Sequence, residues 1–313
     1  MGEAMNNTGW LGPDAERRAW DEAIALENGL HVEFDEIGHA LIILKDFYSG
    51  RPFTWDLERK LHATGRLPYE LIPTYLQDTG NCVAAGLAGA GQKLQVIEVA
   101  LGGEEEQFRE WYIPWIYAVS RNQIGGGMNG AGSTGAWGAR AVNEYGVLFS
   151  DDAGVPQTNG YSDKWGRRRN AGSIESAEYG KFAPAAADNV VEQIRATSVE
   201  QMVGLLESGM VLTIASYQGF RVSEYKGLHV YRPSGSWSHQ MHITDMRRDP
   251  ELMFYRMNQW GPDHARPLNG ETPGGAWNFA SDVERELRSR NVEVYGFSLF
   301  RGHPLDTSDH NII

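Results

Sequence analysis

Residues 79–101 read TGNCVAAGLAGAGQKLQVIEVAL, a turn followed by a run of helix-forming residues that begins at Cys82. Small residues along this run, including Gly86, Gly89 and Gly91, indicate a buried helix packed closely against its neighbours. A helix N-terminus lowers the pKa of a thiol, because the macrodipole and the unbonded N–H groups favour negative charge. Cys82 is therefore a candidate nucleophile, and a buried structural cysteine is the alternative interpretation.

Composition and charge exclude several classes of protein. The chain has 313 residues, a net charge of −13 at pH 7 and a single cysteine. One cysteine cannot form an internal disulfide or a cysteine-rich zinc site, so we expect no dependence on an oxidising compartment. The negative charge argues against nucleic-acid binding, which depends on Lys and Arg neutralising phosphates. The arginines at 167–169 form too short a basic run to reverse this expectation.

The sequence also gives no reason to expect a membrane partner. No apolar run reaches the roughly 18 residues that a membrane-spanning helix needs. Residues 1–14 include Glu3 and several polar residues, and they lack the apolar stretch of a secretory signal. The predicted location is therefore the cytoplasm or a virion.

Predicted helices cluster in the first half of the chain and strands in the second, which is typical of an α+β fold. Ser198 and Gln201 have the spacing of a capping box, and Ser281 is the predicted N-cap of a late helix that ends at Arg290. Residues 125–138, which are glycine-rich, and residues 150–183 are predicted to be irregular. The other predicted helices are 13–28, 53–63, 82–101 and 139–145, and the predicted strands are 39–47, 210–216, 227–231, 239–246, 252–258 and 292–301.

A candidate base and its orienting group lie on two of these strands. His239 begins one strand, Asn258 ends the next, and residues 247–250 between them have strong turn chemistry. The midpoint of positions 239 and 258 falls inside this turn, so an antiparallel hairpin places His239 beside Asn258. A cysteine, a histidine and an asparagine brought together in this way form a thiol-hydrolase site.

Two alternatives involve His242, which lies on the same predicted strand as His239. His242 is a rival base, but strand alternation turns it to the opposite face of the sheet. The same alternation argues against a metal site built from His239, His242 and Asp245. We therefore expect neither a metal nor a cofactor.

Four short motifs resemble those of the papain-like cysteine peptidases. Gln77 with residues 79–82 is similar to the family's Gln…Gly-x-Cys nucleophile segment, and residues 238–241 are similar to its His-Ala-Val strand start. Residues 258–261 read NQWG and resemble the family's Asn-Ser-Trp-Gly motif, which is the most specific of these. Residues 127–130 resemble its Gly-Cys-x-Gly-Gly loop. The order cysteine, histidine, asparagine is also the family's order.

The resemblance extends over roughly residues 67–301 and implies an α+β, papain-like fold. A helical left subdomain would carry the cysteine, and a strand-rich right subdomain would carry the histidine and the asparagine. Residues 1–66 would form an N-terminal extension, and residues 302–313 would form a C-terminal tail.

The resemblance also implies roles for individual residues. Cys82 would attack a carbonyl as a thiolate, and His239 would be its ion-pair partner and later the general acid. Asn258 would hold the imidazole in position. Gln77 and the Cys82 backbone N–H would form the oxyanion hole. Trp260 would shield the His–Asn hydrogen bond from water.

Substrate contact is implied for Asn129 and Gly130, which would bind peptide backbone in the cleft beside Trp260. The implied function is hydrolysis of amide bonds in a peptide or protein substrate. Val83 and Ala131 depart from the family's residues, which leaves open a second hypothesis. The chain would then be a non-catalytic structural or phage virion-associated protein, assembled in a larger particle. Transglutaminase-like acyl transfer is a third hypothesis, although such sites typically orient the histidine with an aspartate.

Overall fold

The computed structural model describes residues 10, 52–77, 79–101, 107–127, 131–156, 176–289 and 291–298. Helices dominate the first part of the described chain and strands the second, so the predicted α+β fold is confirmed. The helices are α1 (Thr54–Ala63), α2 (Cys82–Leu101), α3 (Ile113–Val119), α4 (Gly135–Glu144), α5 (Ser176–Ala187), α6 (Val199–Glu207) and α7 (Ala280–Leu287). A π-helical turn, Ser120–Ile124, continues α3.

The strands form a single sheet in the order β1-β6-β2-β3-β4-β5, in which neighbouring strands are antiparallel. They are β1 (Glu192–Arg195), β2 (Val211–Tyr225), β3 (Leu228–Arg247), β4 (Met253–Met257), β5 (Gly275–Phe279) and β6 (Val292–Ser298). The first part of β3 also pairs in parallel with β5, through Val230 and Tyr231. Strands β3, β4 and β5 therefore close into a ring at this end of the sheet.

The two faces of the sheet are covered by different helices. On β2, Val211 and Ala215 face the core around α2, while Leu212 and Ile214 face the core around α6 and α7. This division follows from strand alternation, which sends successive side chains to opposite faces. Helix α2 is buried on nearly all sides, as its predicted run of small and apolar residues requires.

The register of the β3–β4 hairpin differs from the one predicted. The ladder pairs His242 with Met257, and it carries an irregularity nearer the turn. Continued outward, this ladder puts His239 opposite Trp260 rather than Asn258. The expected pairing of main chains was therefore wrong, because Arg247 pairs with Met253 and so centres the hairpin turn on Pro250, later in the chain than the midpoint of positions 239 and 258.

Two helices begin where irregular structure was predicted. Helix α4 starts within the glycine-rich residues 125–138, because the Thr134 hydroxyl accepts the Trp137 N–H at 3.0 Å and caps the helix. Helix α5 lies partly within residues 150–183, which were predicted to be irregular. In both places, glycine and small polar residues led to a prediction of irregular structure. A helix forms there nevertheless, because tertiary contacts stabilise it.

The cap predictions had mixed outcomes. The Ser198 hydroxyl accepts the Gln201 N–H at 3.2 Å and the reciprocal bond is present, so the capping box at the start of α6 is confirmed. The N-cap of α7 is Phe279, which has no side-chain cap, so the assignment of this role to Ser281 was wrong. The separately predicted strands 227–231 and 239–246 are both parts of β3.

Helix α1 is anchored to both layers of the structure. The Thr54 N–H donates to Asp245 Oδ1 on β3 at 2.9 Å. The Glu58 carboxylate forms a buried ion pair with Lys93 on α2. These two contacts hold α1 against the helix and the strand that carry the candidate site. The predicted domain boundary after residue 66 stays a prediction, and the predicted helix 13–28 and strand 39–47 lie outside the described residues.

Candidate active site

Cys82 is the first residue of α2 and is fully buried. The main chain enters the helix through Asn81, whose carbonyl accepts the Ala85 N–H at 3.0 Å and whose own N–H donates to the Thr79 carbonyl at 2.8 Å. The turn before the thiol and the helix after it are as predicted from the sequence. The thiol therefore lies at the N-terminal end of α2, within the apolar core around this helix.

His239 and Asn258 are joined by a hydrogen bond. His239 Nε2 lies 2.8 Å from Asn258 Oδ1, and both side chains are buried. The Gln259 N–H also donates to Asn258 Oδ1 at 2.7 Å, which orients the amide with its oxygen toward the ring. Because an amide oxygen only accepts, Nε2 carries the imidazole proton. His239 Nδ1 is then left with a lone pair, and it has no hydrogen-bond partner among the described residues.

Trp260 covers the imidazole of His239. The two rings are stacked, with centroids 5.0 Å apart and planes 27° from parallel. Trp237 and His264 both meet Trp260 edge to face, at centroid distances of 4.7 and 5.0 Å. The indole is thus held in place from two sides. Its predicted role in keeping water from the His–Asn pair stays a prediction.

Burial sets the protonation state of His239. Removal from water is the largest influence on this group and lowers the pKa of the imidazole to about 4, although the hydrogen bond to Asn258 acts to raise it. Electrostatic interaction with Arg256 and with His264 contributes to this lowering in the same direction as burial. The ring is therefore neutral at neutral pH, which leaves Nδ1 able to accept a proton.

Contacts between α2 and β3 bring the thiol-bearing helix to the strand of His239. Gln240, the residue after His239, donates from Nε2 to the carbonyl of Val83, the residue after Cys82, at 3.1 Å. The two residues that this hydrogen bond joins each follow a candidate catalytic residue directly in the chain. The bond is buried, so it fixes the helix start against the strand without competition from water.

His242 faces α2, on the side opposite His239, as strand alternation predicts. A Cβ atom at Gly89 would lie 2.5 Å from His242 Cε1, so only glycine lets the helix approach this ring. Gln259 Nε2 donates to His242 Nδ1 at 2.9 Å. Burial lowers the pKa of His242 to about 3, so it too is neutral. Its position against the helix separates this rival base from the His239–Asn258 pair.

Gln77 lies beside the motif that contains Asn258. Its N–H donates to the Gln259 carbonyl at 2.8 Å, and its side-chain Nε2 donates to the Thr79 carbonyl at 2.5 Å. The side chain is fully buried, and Oε1 has no hydrogen-bond partner among the described residues. Gln77 is thus tied both to the turn before Cys82 and to the strand end after Asn258. Its role as an oxyanion donor stays a prediction.

The predicted substrate-contacting loop is described only in part. Asn129 and Gly130 lie outside the described residues, so their contacts stay predictions. Where the chain resumes, Ser133 forms a parallel bridge with Trp10. The Ser238 hydroxyl donates to the Trp10 carbonyl at 2.7 Å. A residue from the N-terminal part of the chain therefore lies against the residue next to His239.

Three residues at the site were missed by reasoning from the sequence. Gln240 and Gln259 each follow a predicted site residue, and this adjacency was the only available signal. Nothing in the sequence pointed to Trp10, because it hydrogen-bonds to Glu293, 283 positions away. A contact between residues so far apart in the chain leaves no local pattern in the sequence.

Together, a central helix that begins at Cys82 and an antiparallel sheet packed against it, with His239 on β3, form the architecture of the papain-like class of folds. Xylellain, a cysteine protease from Xylella fastidiosa, is similar to this chain with a TM-score of 0.52 and 16% identity. The match covers 75% of this chain and 84% of xylellain. At this identity the likeness establishes the fold, which agrees with the resemblance found in the sequence motifs.

Two further solved structures are similar at lower scores. The proform of the Amb a 11 cysteine protease, a ragweed pollen allergen, has a TM-score of 0.46 and 13% identity, with 74% of this chain and 62% of that chain covered. A procathepsin B from Trypanosoma congolense has a TM-score of 0.44 and 10% identity, with 75% and 74% covered. No family model and no curated protein matches the sequence.

Two further properties hold for the part of the chain that the structure describes. None of its helices combines the length and apolar character needed to cross a bilayer. Within the same residues, His, Cys, Asp and Glu side chains form no group of three or more that could hold a metal ion.

Proposed function

We propose that this protein is a cysteine peptidase that hydrolyses peptide amide bonds through Cys82, His239 and Asn258. The observation that carries the proposal is the hydrogen bond of 2.8 Å between His239 and Asn258. It fixes the tautomer of the imidazole and leaves Nδ1 with a lone pair and no hydrogen-bond partner among the described residues. The papain-like fold supports the same reaction.

The proposed reaction has two half-reactions, acylation of Cys82 and hydrolysis of the thioester, and His239 transfers protons in both. His239 Nδ1 takes the proton of the Cys82 thiol, and the thiolate attacks the substrate carbonyl to form a tetrahedral oxyanion. The imidazolium then gives that proton to the leaving amine, and a thioester remains on Cys82. Water attacks the thioester with His239 as general base, which releases the acid and restores the thiol. Asn258 keeps the ring oriented throughout.

The negative charge of the tetrahedral oxyanion is stabilised by hydrogen-bond donors that are positioned before the reaction begins. The Cys82 N–H at the helix start is the first proposed donor, which is the role that the family resemblance implies for it. The Gln77 side chain is the second proposed donor, because its amide lies between the turn before Cys82 and the end of β4. In other enzymes the loss of one such donor lowers kcat by about 10²–10³-fold.

The direct test compares wild type with Cys82→Ser and His239→Asn on a library of internally quenched peptides. We expect wild type to cleave a subset of the peptides and each variant to lose at least about 10²-fold in kcat/KM. His229→Asn, a change on the same strand, is the matched control and is expected to retain activity. Equal turnover by wild type and Cys82→Ser would contradict the proposal.

The non-catalytic alternative has a distinct outcome in the same assay. A folded wild-type protein that cleaves no peptide in the library would favour a structural role on the papain-like scaffold. Assembly in a virion or another particle, and action in the cytoplasm, stay predictions that depend on this result.

A further inference from the structure

A polar cleft lies between the β2–β3 hairpin and α7. It has a volume of about 550 Å³, and none of the described residues that line it belongs to the candidate active site. Three of these residues are arginines, namely Arg221 on β2, Arg232 on β3 and Arg285 on α7. We call this space the arginine cleft.

Two of the arginines face each other across the hairpin. Arg221 and Arg232 are directly opposed in the antiparallel ladder, so their side chains leave the same face of the sheet. The guanidinium of Arg232 lies over the ring of Phe279, with its Cζ 4.1 Å from the ring centroid. Like charges in directly opposed positions are destabilising, so an anion that contacts both arginines would stabilise the pair.

Carboxylates balance only part of this positive charge. Glu286 lines the arginine cleft, but its carboxylate is paired with Arg256, at 2.7 Å between Oε2 and Nη1. Among the described residues of the lining, Asp282 is then the one carboxylate left for the three arginines, which leaves an excess of two positive charges. This excess stands out in a chain whose net charge is −13, and a dianion matches it.

Asp282 also offers a hydrogen-bond acceptor. Its side chain is 4% exposed, and Oδ1 accepts a hydrogen bond from Arg285. Oδ2 lies 4.0 Å from Arg232 Nη1, beyond hydrogen-bond length, and has no hydrogen-bond partner among the described residues. A buried carboxylate oxygen without a donor is costly, so the cleft favours a ligand that carries an O–H or N–H group beside its negative charge.

The rest of the lining narrows the class of ligand. Gln218 and Ser223 present hydrogen-bonding side chains, and Pro233 is the one apolar residue among the described residues of the lining. Nucleic-acid bases are bound by stacking on aromatic rings, so this lining does not suit a nucleotide. The volume is within the range of small-molecule sites and exceeds that of a bare phosphate ion.

We propose that the arginine cleft binds a sugar phosphate. The dianionic phosphate lies against Arg221 and Arg232, and a sugar hydroxyl donates to Asp282 Oδ2. Gln218 and Ser223 bind the remaining hydroxyls. The inference goes beyond the proposed hydrolysis and does not depend on it, because it uses none of the groups proposed to react.

Isothermal titration calorimetry on the full chain at low ionic strength tests the proposal. The titrants are glucose 6-phosphate, fructose 6-phosphate and ribose 5-phosphate, with inorganic phosphate and glucose as the separate halves of such a ligand. We expect at least one sugar phosphate to bind about tenfold or more tightly than inorganic phosphate, because it contacts the arginines and the other polar groups at once. Glucose should give no detectable heat of binding, because it lacks the charge.

Two exposed arginines provide a variant and its matched control. Arg221→Gln should weaken the tightest sugar phosphate by about tenfold, because it removes a charge-assisted hydrogen bond. Arg288→Gln should leave the affinity unchanged, since Arg288 at the end of α7 pairs with Glu284 and does not line the cleft. Thermal melting confirms that each variant is folded.

A third variant tests the acceptor. Asp282→Asn keeps an oxygen for Arg285 but replaces Oδ2 by an amide nitrogen, which donates instead of accepting. We expect the sugar phosphate to lose its advantage over inorganic phosphate in this variant.

Three results would overturn the arginine cleft as a sugar-phosphate site. The first is no binding of any of the three sugar phosphates by the folded wild type. The second is equal affinity for these compounds and for inorganic phosphate, which would mean that only the phosphate group is bound. The third is an unchanged affinity in Arg221→Gln, which would place the ligand elsewhere. None of them affects the proposed hydrolysis, which the peptide library measures separately.

Discussion

At the scale of single residues, His239 and His242 lie on opposite faces of β3, and both are buried in their neutral form. Burial is the largest influence on both, and it lowers the pKa of His239 to about 4 and that of His242 to about 3. In the unfolded chain both imidazoles return to the ordinary pKa of 6.5. Between these values the unfolded state binds more protons than the folded state.

Stability should therefore fall as the pH drops from 6.5 toward 4. Each histidine contributes a slope of about 1.4 kcal/mol per pH unit in that window, because its stabilisation is present above the unfolded pKa and is lost below it. Urea denaturation at a series of pH values measures the slope. A free energy of unfolding that is flat or rises over this range would contradict the burial of neutral imidazoles.

The variant His242→Asn separates the two contributions. Its Oδ1 can replace Nδ1 as the acceptor for Gln259, but the side chain does not titrate. We expect the slope of the free energy of unfolding to fall by about 1.4 kcal/mol per pH unit in this variant. An unchanged slope would show that His242 is already protonated or exposed in the folded protein.

Residue chemistry made part of the site predictable. His239 and Asn258 were found from their motifs and from a turn between two strands, and their side chains do meet. Gln259 was not found, although its main chain holds Gln77 and its side chain holds His242. Those bonds depend on how three separate segments converge, which no local pattern in the sequence records.

At the scale of elements, the approach of α2 to β3 depends on Gly89. A methyl group there would lie 2.5 Å from the ring of His242, which is buried and bonded and so cannot move aside easily. We predict that Gly89→Ala lowers the free energy of unfolding by about 1–3 kcal/mol, measured by urea denaturation.

Gly180 provides the matched control in another helix. It lies within α5, and a Cβ atom there would meet nothing within 4 Å. Gly180→Ala should raise the free energy of unfolding by about 0.5–1 kcal/mol, since alanine restricts the unfolded chain and favours the helix. If both alanine variants shift stability in the same direction, close packing of α2 on His242 is not the cause.

Elements with strong local signals were predicted well, and those set by distant contacts were not. Helix α2 begins and ends where its sequence indicated, and the capping box at Ser198 is present. Helix α4 was expected to start later, and part of what holds its first turn is the carboxylate of Glu293 on β6. The predicted hairpin register was wrong because the turn is centred on Pro250, which its composition alone did not locate.

At the scale of the whole molecule, α1 joins the helical layer to the sheet. Glu58 and Lys93 are both buried, so removing one partner leaves an uncompensated charge at a cost of about 3–5 kcal/mol. Trp55 adds aromatic contacts to Tyr255 and Trp277 at centroid distances of 5.0 and 5.9 Å. Losses of this size approach the entire stability of an ordinary domain.

Two truncations test this role. Deleting residues 1–51 should leave a folded protein, whereas deleting residues 1–66 should abolish cooperative thermal unfolding, as followed by near-ultraviolet circular dichroism. The shorter deletion is the control, since it also removes Trp10 but spares α1. Cooperative unfolding of both truncated proteins at similar temperatures would show that α1 is dispensable.

The central claim is that His239 activates the thiol of Cys82, and covalent capture tests it most directly. Wild type and His239→Asn are treated with a peptidyl epoxide that reacts with activated thiols, and intact-mass spectrometry follows the adduct on the only cysteine. We predict a single adduct on folded wild type, formed at least about 10²-fold more slowly on His239→Asn. Equal labelling rates for the two proteins, or no adduct on folded wild type while iodoacetamide modifies the denatured chain, would contradict the claim.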